Sequence, residues 1–425
     1  MAEAEQARGH PHQKGLPTEL WKTIFHEATK FPYKDEFTTN PYAYFPFSWS
    51  SQAYFPTKEM ESILQTRFTI ILVCKTWYTL GIADLYSHVY FNPTSPMSKS
   101  LHRVFAKKVS LIAHVRRLTL RPPRVYYSKW FKRRAQSGYM KMAIAIISSL
   151  PRLRVLDASP EIAAVLPIKR LSSTVQVVAI AAWDYGHSLS RLPQVTRPIS
   201  AIAWQAVHVL LLDVAVFHRG MLDTQVNFQS VIRFALRDEK DSIESKDMDW
   251  ETVGRIFDNW AFPSLQRVVI KSIDWPTMST FLQRHSMTLQ SLYFESGRVR
   301  LERVSAWQTE ALILPHLREL KLKTIKNLFP YLNLDLIALE SFEFDCILII
   351  QEGLPHTLDL LGRYQTLKSC RIYGHFSPDL ALANRLLEHV VDQLATLRKR
   401  GVTVEIHSTC CWNPTLACKG ECCPP

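Results

Sequence analysis

One spacing governs what this chain can fold into: apolar-x-x-apolar-x-apolar, returning again and again from residue 115 onward. It reads Val115/Leu118/Leu120, Leu153/Leu156/Ala158, Val175/Val178/Ile180 and Val207/Leu210/Leu212. Val231/Phe234/Leu236, Leu265/Val268/Ile270, Leu289/Leu292/Phe294 and Leu317/Leu320/Leu322 follow, then Leu339/Phe342/Phe344 and Leu367/Cys370/Ile372. Val402/Val404/Ile406 closes the series. Strand side chains alternate, so the last two apolar residues of each triplet share one face of a short strand. Pro-x-Leu-x-x-Leu recurs at Pro151, Pro263 and Pro315, as expected of a loop feeding a strand. Between the triplets lie segments of helical spacing: Tyr139–Leu150, Trp250–Trp260, Thr277–Arg284, Thr357–Tyr364 and Leu380–Arg400. Strand then helix, repeated, builds a parallel sheet with helices on one side.

The triplet and its period resemble leucine-rich repeats. From Leu265 to Leu367 the steps are 24, 28, 22 and 28 residues, at or near that repeat length. Lone apolar triplets are common, so this later regularity carries the assignment. The Asn that follows the strand in that family is mostly missing, so the repeats are degenerate. The resemblance implies a concave binding face made by the residues that alternate with the core positions. Its candidate substrate-binding residues are Arg267, Lys271, Tyr293, Glu319, Lys321, Lys323, Glu343, Arg371 and Tyr373. Arg117 and Thr119 occupy the same positions at the early end. At Val177, Ala179, Val209 and Leu211 the face is apolar. Either another segment covers it or it is an exposed floor; covering is preferred, because a bare apolar floor invites aggregation.

Ahead of the repeats, Leu16-Pro17-Thr18-Glu19-Leu20 opens a helix, with Thr18 as candidate N-cap and Leu20, Trp21, Ile24, Phe25 and Ala28 on one face. Helical spacing resumes over Lys58–Leu80, where Ile70, Val73, Cys74, Trp77 and Leu80 line one side. In these two pieces the chain resembles the F-box, which opens on Leu-Pro, Glu-Leu and Ile-Phe and closes on Val-Cys-Lys-x-Trp. The matching residues are Leu16, Pro17, Glu19, Leu20, Ile24, Phe25, Val73, Cys74 and Trp77. The resemblance implies docking through them onto a Skp-family adaptor and a cullin-based SCF ubiquitin ligase, as in fungal F-box-like proteins. A departure is the long insertion between the two pieces. Its residues 31–57 hold ten aromatics and four prolines, a cap over the helices or an added partner surface. Cys74, on the apolar face, is expected to be packed rather than reactive.

The charge is local. The chain carries a net +13, yet Leu85–Leu156 alone holds fifteen Lys and Arg and no Asp or Glu, leaving the rest at −2. The densest run contains Arg121, Arg124, Lys129, Lys132, Arg133 and Arg134, interleaved with Tyr126, Tyr127, Trp130 and Phe131. That mixture suits nucleic acid, anionic lipid or a phosphorylated peptide. A solvated loop or a nuclear address is preferred for it. In the tail, Cys410, Cys411, Cys418, Cys422 and Cys423 with His407 suit zinc, but the Cys-x-x-Cys pair is absent. A flexible, reduced tail is preferred there.

No catalytic constellation stands out: there is no Gly-x-Ser-x-Gly, no His-Glu-x-x-His and no phosphate-cradling glycine loop. The expectation is therefore a non-catalytic adaptor without cofactor or metal. No apolar run reaches the roughly eighteen residues of a membrane span, and Met1–Gly15 lacks a signal-type apolar stretch, so the expected location is cytoplasmic or nuclear. The fold class is α/β, a leucine-rich-repeat solenoid preceded by a small all-α F-box-like domain. The expected divisions are a disordered N-terminus (1–15), the F-box-like domain (16–92), the solenoid (93–407) and a flexible Cys-rich tail (408–425). A binding protein using the basic patch on nucleic acid is the less favoured alternative, and a structural scaffold the other.

Overall fold

A computed structural model describes residues 16–28, 58–91, 96–120, 141–143, 145–158, 174–180, 204–214, 217, 221–237, 250–271, 275–295, 311–324, 333–346, 353–374 and 380–408. The N-terminal, aromatic, basic and cysteine-rich segments singled out above (1–15, 31–57, 121–134 and 410–425) lie outside them.

Three helices begin the chain: α1 (Thr18–Ala28), α2 (Lys58–Val73) and α3 (Lys75–Ser87). α1 starts as the Leu-Pro signal predicts, although Pro17 rather than Thr18 supplies the first carbonyl, accepting from Trp21 N at 3.1 Å. The single helix expected over Lys58–Leu80 is broken at Cys74. That residue is extended, and its Sγ accepts the Trp77 N–H at 3.4 Å, so it caps α3. Spacing missed the break because the two helices share an apolar side, on which α1 also packs. Gly81 lets α3 approach α2 closely, since a Cβ there would lie 3.2 Å from Ile70 and Ile71 methyls.

α3 runs straight into the first strand, β1 (His88–Phe91). Two helices, α4 (Pro96–Lys107) and α5 (Val109–Ile112), precede β2 (Arg117–Leu120). Then come β3 (Val155–Ala158), β4 (Val177–Ile180), β5 (Val209–Asp213), β6 (Val226–Asn227) and β7 (Arg233–Arg237). Next are α6 (Trp250–Asp258), β8 (Trp260–Ala261), β9 (Arg267–Lys271), α7 (Trp275–Arg284) and β10 (Ser291–Glu295). The chain continues through β11 (Leu312–Ile313), β12 (Glu319–Thr324), β13 (Leu334–Asp335) and β14 (Ser341–Cys346). α8 (Gly353–Gly362), β15 (Ser369–Gly374), α9 (Leu380–Lys399) and β16 (Thr403–Ser408) complete it.

The described strands form one twelve-stranded sheet, β1-β2-β3-β4-β5-β7-β9-β10-β12-β14-β15-β16. Its pairs are parallel, and each strand lies beside the strand that precedes it in the sheet. Two small parallel pairs, β6–β8 and β11–β13, sit apart from it. They are two residues long, too short for any periodicity to announce them.

The register turns each apolar position of the repeat into a row. Leu118, Leu156, Val178, Leu210, Phe234, Val268, Leu292, Leu320, Phe342 and Cys370 follow one another across the sheet, all buried. Leu120, Ala158, Ile180, Leu212, Leu236, Ile270, Phe294, Leu322, Phe344 and Ile372 make a second row, also buried. The helices supply the other wall: Ile256 and Phe257 from α6, Phe281 and Leu282 from α7, Leu361 from α8 and Leu394 and Leu397 from α9 belong to the same core. At its centre Phe228 stacks on Phe262 at 4.5 Å, and Phe234, Phe257, Trp260 and Phe281 surround the pair. Removing one such ring costs about 3–5 kcal/mol. Because each turn of chain buries its apolar face mainly against its neighbours, no single repeat is covered alone.

Candidate interaction faces

At the N-terminal helices, Phe25 is buried and packs with Trp21 and Trp77, the three ring centroids lying 4.9–5.7 Å apart. This cluster locks α1 onto α3. The sequence grouped Phe25 and Trp77 with the docking residues; the geometry assigns Phe25 to packing. The other side of α1 is open. Leu16, Leu20 and Ile24, spaced four apart, are 46%, 49% and 43% exposed, and Leu72 and Val73 at the end of α2 are 66% and 56% exposed. Pro17 and Glu19 are exposed beside them. Isolated surface leucines mean little, but a row of them on one short helix is an unpartnered apolar stripe. Cys74 is exposed, not packed as expected. Its place at a helix start explains this: the cap must sit outside the interface that the helices share.

The sheet face opposite the helices changes character along its length. Over β9 to β16 it is charged and half-open. Lys271 pairs with Glu295 at 3.3 Å, Lys321 with Glu343 at 3.0 Å and Arg371 with Glu405 at 2.9 Å. Each pair joins residues directly opposite on neighbouring strands. The Tyr293 hydroxyl donates to Glu295 at 2.9 Å. The Arg371 pKa is held above its ordinary value by its bond to Glu405. Leu320, Leu322, Phe342 and Phe344 are buried on the helix side, so the alternation read from the sequence holds here. The register places Arg267, Glu319, Lys323 and Tyr373 on the same open face. Its positive and negative residues are interleaved, strand against strand.

Over β3 to β7 the same face is a separate apolar cluster of Val155, Val177, Ala179, Val209, Leu211 and Ala235, with Val269 at its margin. These residues are buried, so the covered alternative holds rather than the bare floor. Further towards the N-terminus the face is polar yet closed. Asp157, fully buried, accepts from Arg117 Nε at 2.7 Å and Nη2 at 2.6 Å, and from the Thr119 hydroxyl at 2.9 Å. His88 Nε2 lies 2.9 Å from that hydroxyl. Arg117 and Thr119 were expected to be open; they are buried instead, because a carboxylate forty residues away in sequence meets them from the next strand. The only sequence signal was that Asp157 is the first acid after the acid-free stretch.

Cys370 faces the core, and burial pushes its thiol up to about 12, which removes it as a nucleophile. No helix among the described residues is long and apolar enough to cross a membrane.

These features define the class: a mixed α/β chain with a long parallel sheet, consistent with a leucine-rich-repeat solenoid, carrying a small helical group at its start. No protein-family model matches the sequence, and no curated protein matches it. Among solved structures, the leucine-rich repeat-containing protein LegL7 from Legionella pneumophila is similar over 76% of this chain and 91% of its own. The identity is 12% and the TM-score 0.37, so the class rests on the sheet register and not on that likeness.

Proposed function

We propose that this chain is a non-catalytic adaptor that holds two proteins at once. The solenoid binds a protein substrate on its open charged face. The helical group, read as F-box-like, docks on a Skp-family adaptor and through it on the cullin of an SCF-type ubiquitin ligase. The observation that carries the reading is the open stripe of Leu16, Leu20 and Ile24 on α1, outside the Trp21–Phe25–Trp77 lock, with Leu72 and Val73 also exposed at the end of α2. Leu16, Leu20, Ile24 and Val73 are positions of the F-box resemblance, and an apolar stripe on a helix is suited to a groove on another helical protein. Interleaved charges on the sheet suit a protein partner better than a polyanion, which would meet Glu295, Glu319, Glu343 and Glu405 there. The adaptor's contribution is then proximity, bringing substrate lysines to the ubiquitin-charged enzyme.

The test is co-purification of the full chain with a Skp-family adaptor. Leu20→Asp with Ile24→Asp should abolish it while the solenoid keeps its far-ultraviolet spectrum. Trp77→Ala, which opens the aromatic lock at a cost of about 3–5 kcal/mol, should do the same through local unfolding. Undiminished co-purification of both variants would sink the F-box reading and leave a solenoid binding protein without a ligase role.

A further inference from the structure

The small ribbon β11–β13 has two edges, and the edges of a ribbon carry backbone groups that its own pairing does not use. The pairing fixes which groups these are. Leu312 N–H donates to Asn333 O at 2.9 Å and Leu314 N–H to Asp335 O at 3.0 Å. A trans peptide sends its carbonyl and its N–H opposite ways, so the Leu334 and Leu336 N–H groups point away from β11. The Leu334 carbonyl points with them, and the Tyr364 hydroxyl donates to it at 3.3 Å. Among the described residues neither N–H has an acceptor. The edge on the β11 side is served differently: Ile313 N–H donates to Gln283 Oε1 of α7 at 3.3 Å.

A groove of about 660 Å³ lies along the open edge of β13. Its far wall is the end of α8 and the turn after it. That wall does not complete the ribbon, because its own backbone is engaged. Arg363 N–H and Tyr364 N–H close the last helical turn on Leu360 O and Leu361 O. Gly362 O and Tyr364 O accept from the Arg400 guanidinium at 2.6 and 2.7 Å. The Thr366 hydroxyl reaches Ile337 O at 3.1 Å and Leu339 O at 2.9 Å, tying the wall to the turn beyond β13. Leu334, Leu360 and Tyr364 are half-buried against the core and give the groove an apolar floor, and Ile337 at its mouth is 64% exposed. Asp335 and Arg363, one of each sign, are exposed on its two sides, so charge does not choose the occupant. At the earlier ribbon the space beside β8 is filled. Trp260 of β8 and Phe262 just after it are buried, and the His285 ring of the following turn stands against Phe262 at 5.8 Å.

We propose that the groove beside β13 takes an extended segment of a protein partner, which adds to the ribbon as a third strand. The site is separate from the stripe on α1 and from the charged sheet face, and it does not rest on the adaptor reading. The Leu334 and Leu336 N–H groups lie two residues apart, about 6.6 Å along a strand, which is the spacing of same-side carbonyls in an extended peptide. A lipid chain or a small apolar molecule would leave both donors unmet, and an unmet donor in a closed groove costs about 1–3 kcal/mol. Once the segment is paired, every second side chain sits over Leu334, Leu360 and Tyr364, so the preferred sequence alternates apolar residues.

The experiment pans displayed random ten-residue peptides on the full chain. The strongest binder is remade with fluorescein and followed by anisotropy. It is expected to carry apolar residues at alternate positions. Methylating its backbone nitrogens one at a time should weaken binding by about tenfold at alternate residues and by less than about threefold between them, because one edge of the peptide meets β13. Gln365→Trp, at an exposed position on the far wall, fills the groove without altering β13 and should weaken binding by about tenfold or more. Leu336→Pro removes one of the two donors and should act the same way; the Gln365→Trp result stands whether or not that variant folds. Lys321→Glu, on the charged face, should change the affinity by less than about twofold. No binder, a binder indifferent to Gln365→Trp, or equal losses at every methylated nitrogen overturns the proposal. A wild-type dimer in sedimentation that Gln365→Trp abolishes overturns it in favour of a second copy of this chain.

Discussion

Asp157 is the most exposing place to perturb the early repeats. Its carboxylate is fully buried, and Oδ2 takes two bonds from Arg117 and one from Thr119. Asp157→Ala leaves the Arg117 guanidinium in a closed site without that counter-charge, a loss of about 3–5 kcal/mol for breaking one side of a buried pair. The Thr119 hydroxyl also loses an acceptor, adding about 1 kcal/mol. Against a typical domain stability of about 5–15 kcal/mol, that is enough to open the first repeats at ambient temperature. Urea unfolding followed by tryptophan fluorescence and by hydrogen exchange would locate the loss at β1–β4 rather than β9–β16, as expected when repeats contact only their neighbours. The control is Arg117→Met with Asp157→Leu, which removes both charges and keeps apolar volume. It should be less damaging than Asp157→Ala, because neither charge is then stranded. The reasoning fails if Asp157→Ala costs less than about 1 kcal/mol, or if the double variant is worse than the single one.

Other expectations are smaller. His285, beside Arg284 and between Phe262 and Phe281, is pushed down to about 4, by burial first and then by Arg284. Its folded pKa lies below the unfolded value of about 6.5, so the unfolded chain binds the proton first and stability falls as the pH drops from about 6.5 to about 4. Allowing for partial solvent contact, the loss is about 2 kcal/mol, and the urea midpoint of wild type should fall relative to that of His285→Leu across that window. Lys321→Glu, facing Glu343, should destabilise by about 1 kcal/mol, and Lys321→Glu with Glu343→Lys should restore most of it. Thermal melts of these three proteins decide whether the pair interacts as the register requires.

What the sequence made legible was whatever repeats. Three apolar positions per turn became buried rows, and alternation alone put Lys321 and Glu343 on one face, 3.0 Å apart. Even the triplets at 175, 207 and 231, which fall outside the regular later steps, are strands with buried residues. What escaped depends on partners distant in sequence. Thr119 looks like an exposed strand residue until Asp157 is placed beside it. The break at Cys74 escaped because two consecutive helices can share a stripe and so read as one. The basic run that drew attention, Arg121 to Arg134, lies outside the described residues, and so does the cysteine-rich tail.

The junction between helices and sheet has its own consequence. α3 ends at Ser87 and β1 begins at His88, with nothing between them. Ser87 O accepts from Arg116 N, the residue just before β2, at 2.9 Å. Arg67, buried on α2, donates to Asp84 O at 2.8 Å and so holds the end of α3 from the other side. Tyr86 packs on Phe105 at 5.9 Å, and with Ile82 it lies against the solenoid core. α3 therefore belongs to both parts, and the open stripe on α1 keeps one orientation to the charged face. Inserting Gly-Ser-Gly-Ser between Ser87 and His88 should part Ser87 O from Arg116 N and lift Tyr86 from Phe105. Hydrogen exchange over residues 75–87 should then rise by an order of magnitude or more, about 1.4 kcal/mol per tenfold, while β9–β16 stay protected. Unchanged exchange in α3 would mean that the helical group holds itself together and merely hangs from the sheet. If exchange rises as expected, the reach from the exposed stripe on α1 to the charged sheet face is built into the fold, and no flexible tether sets it.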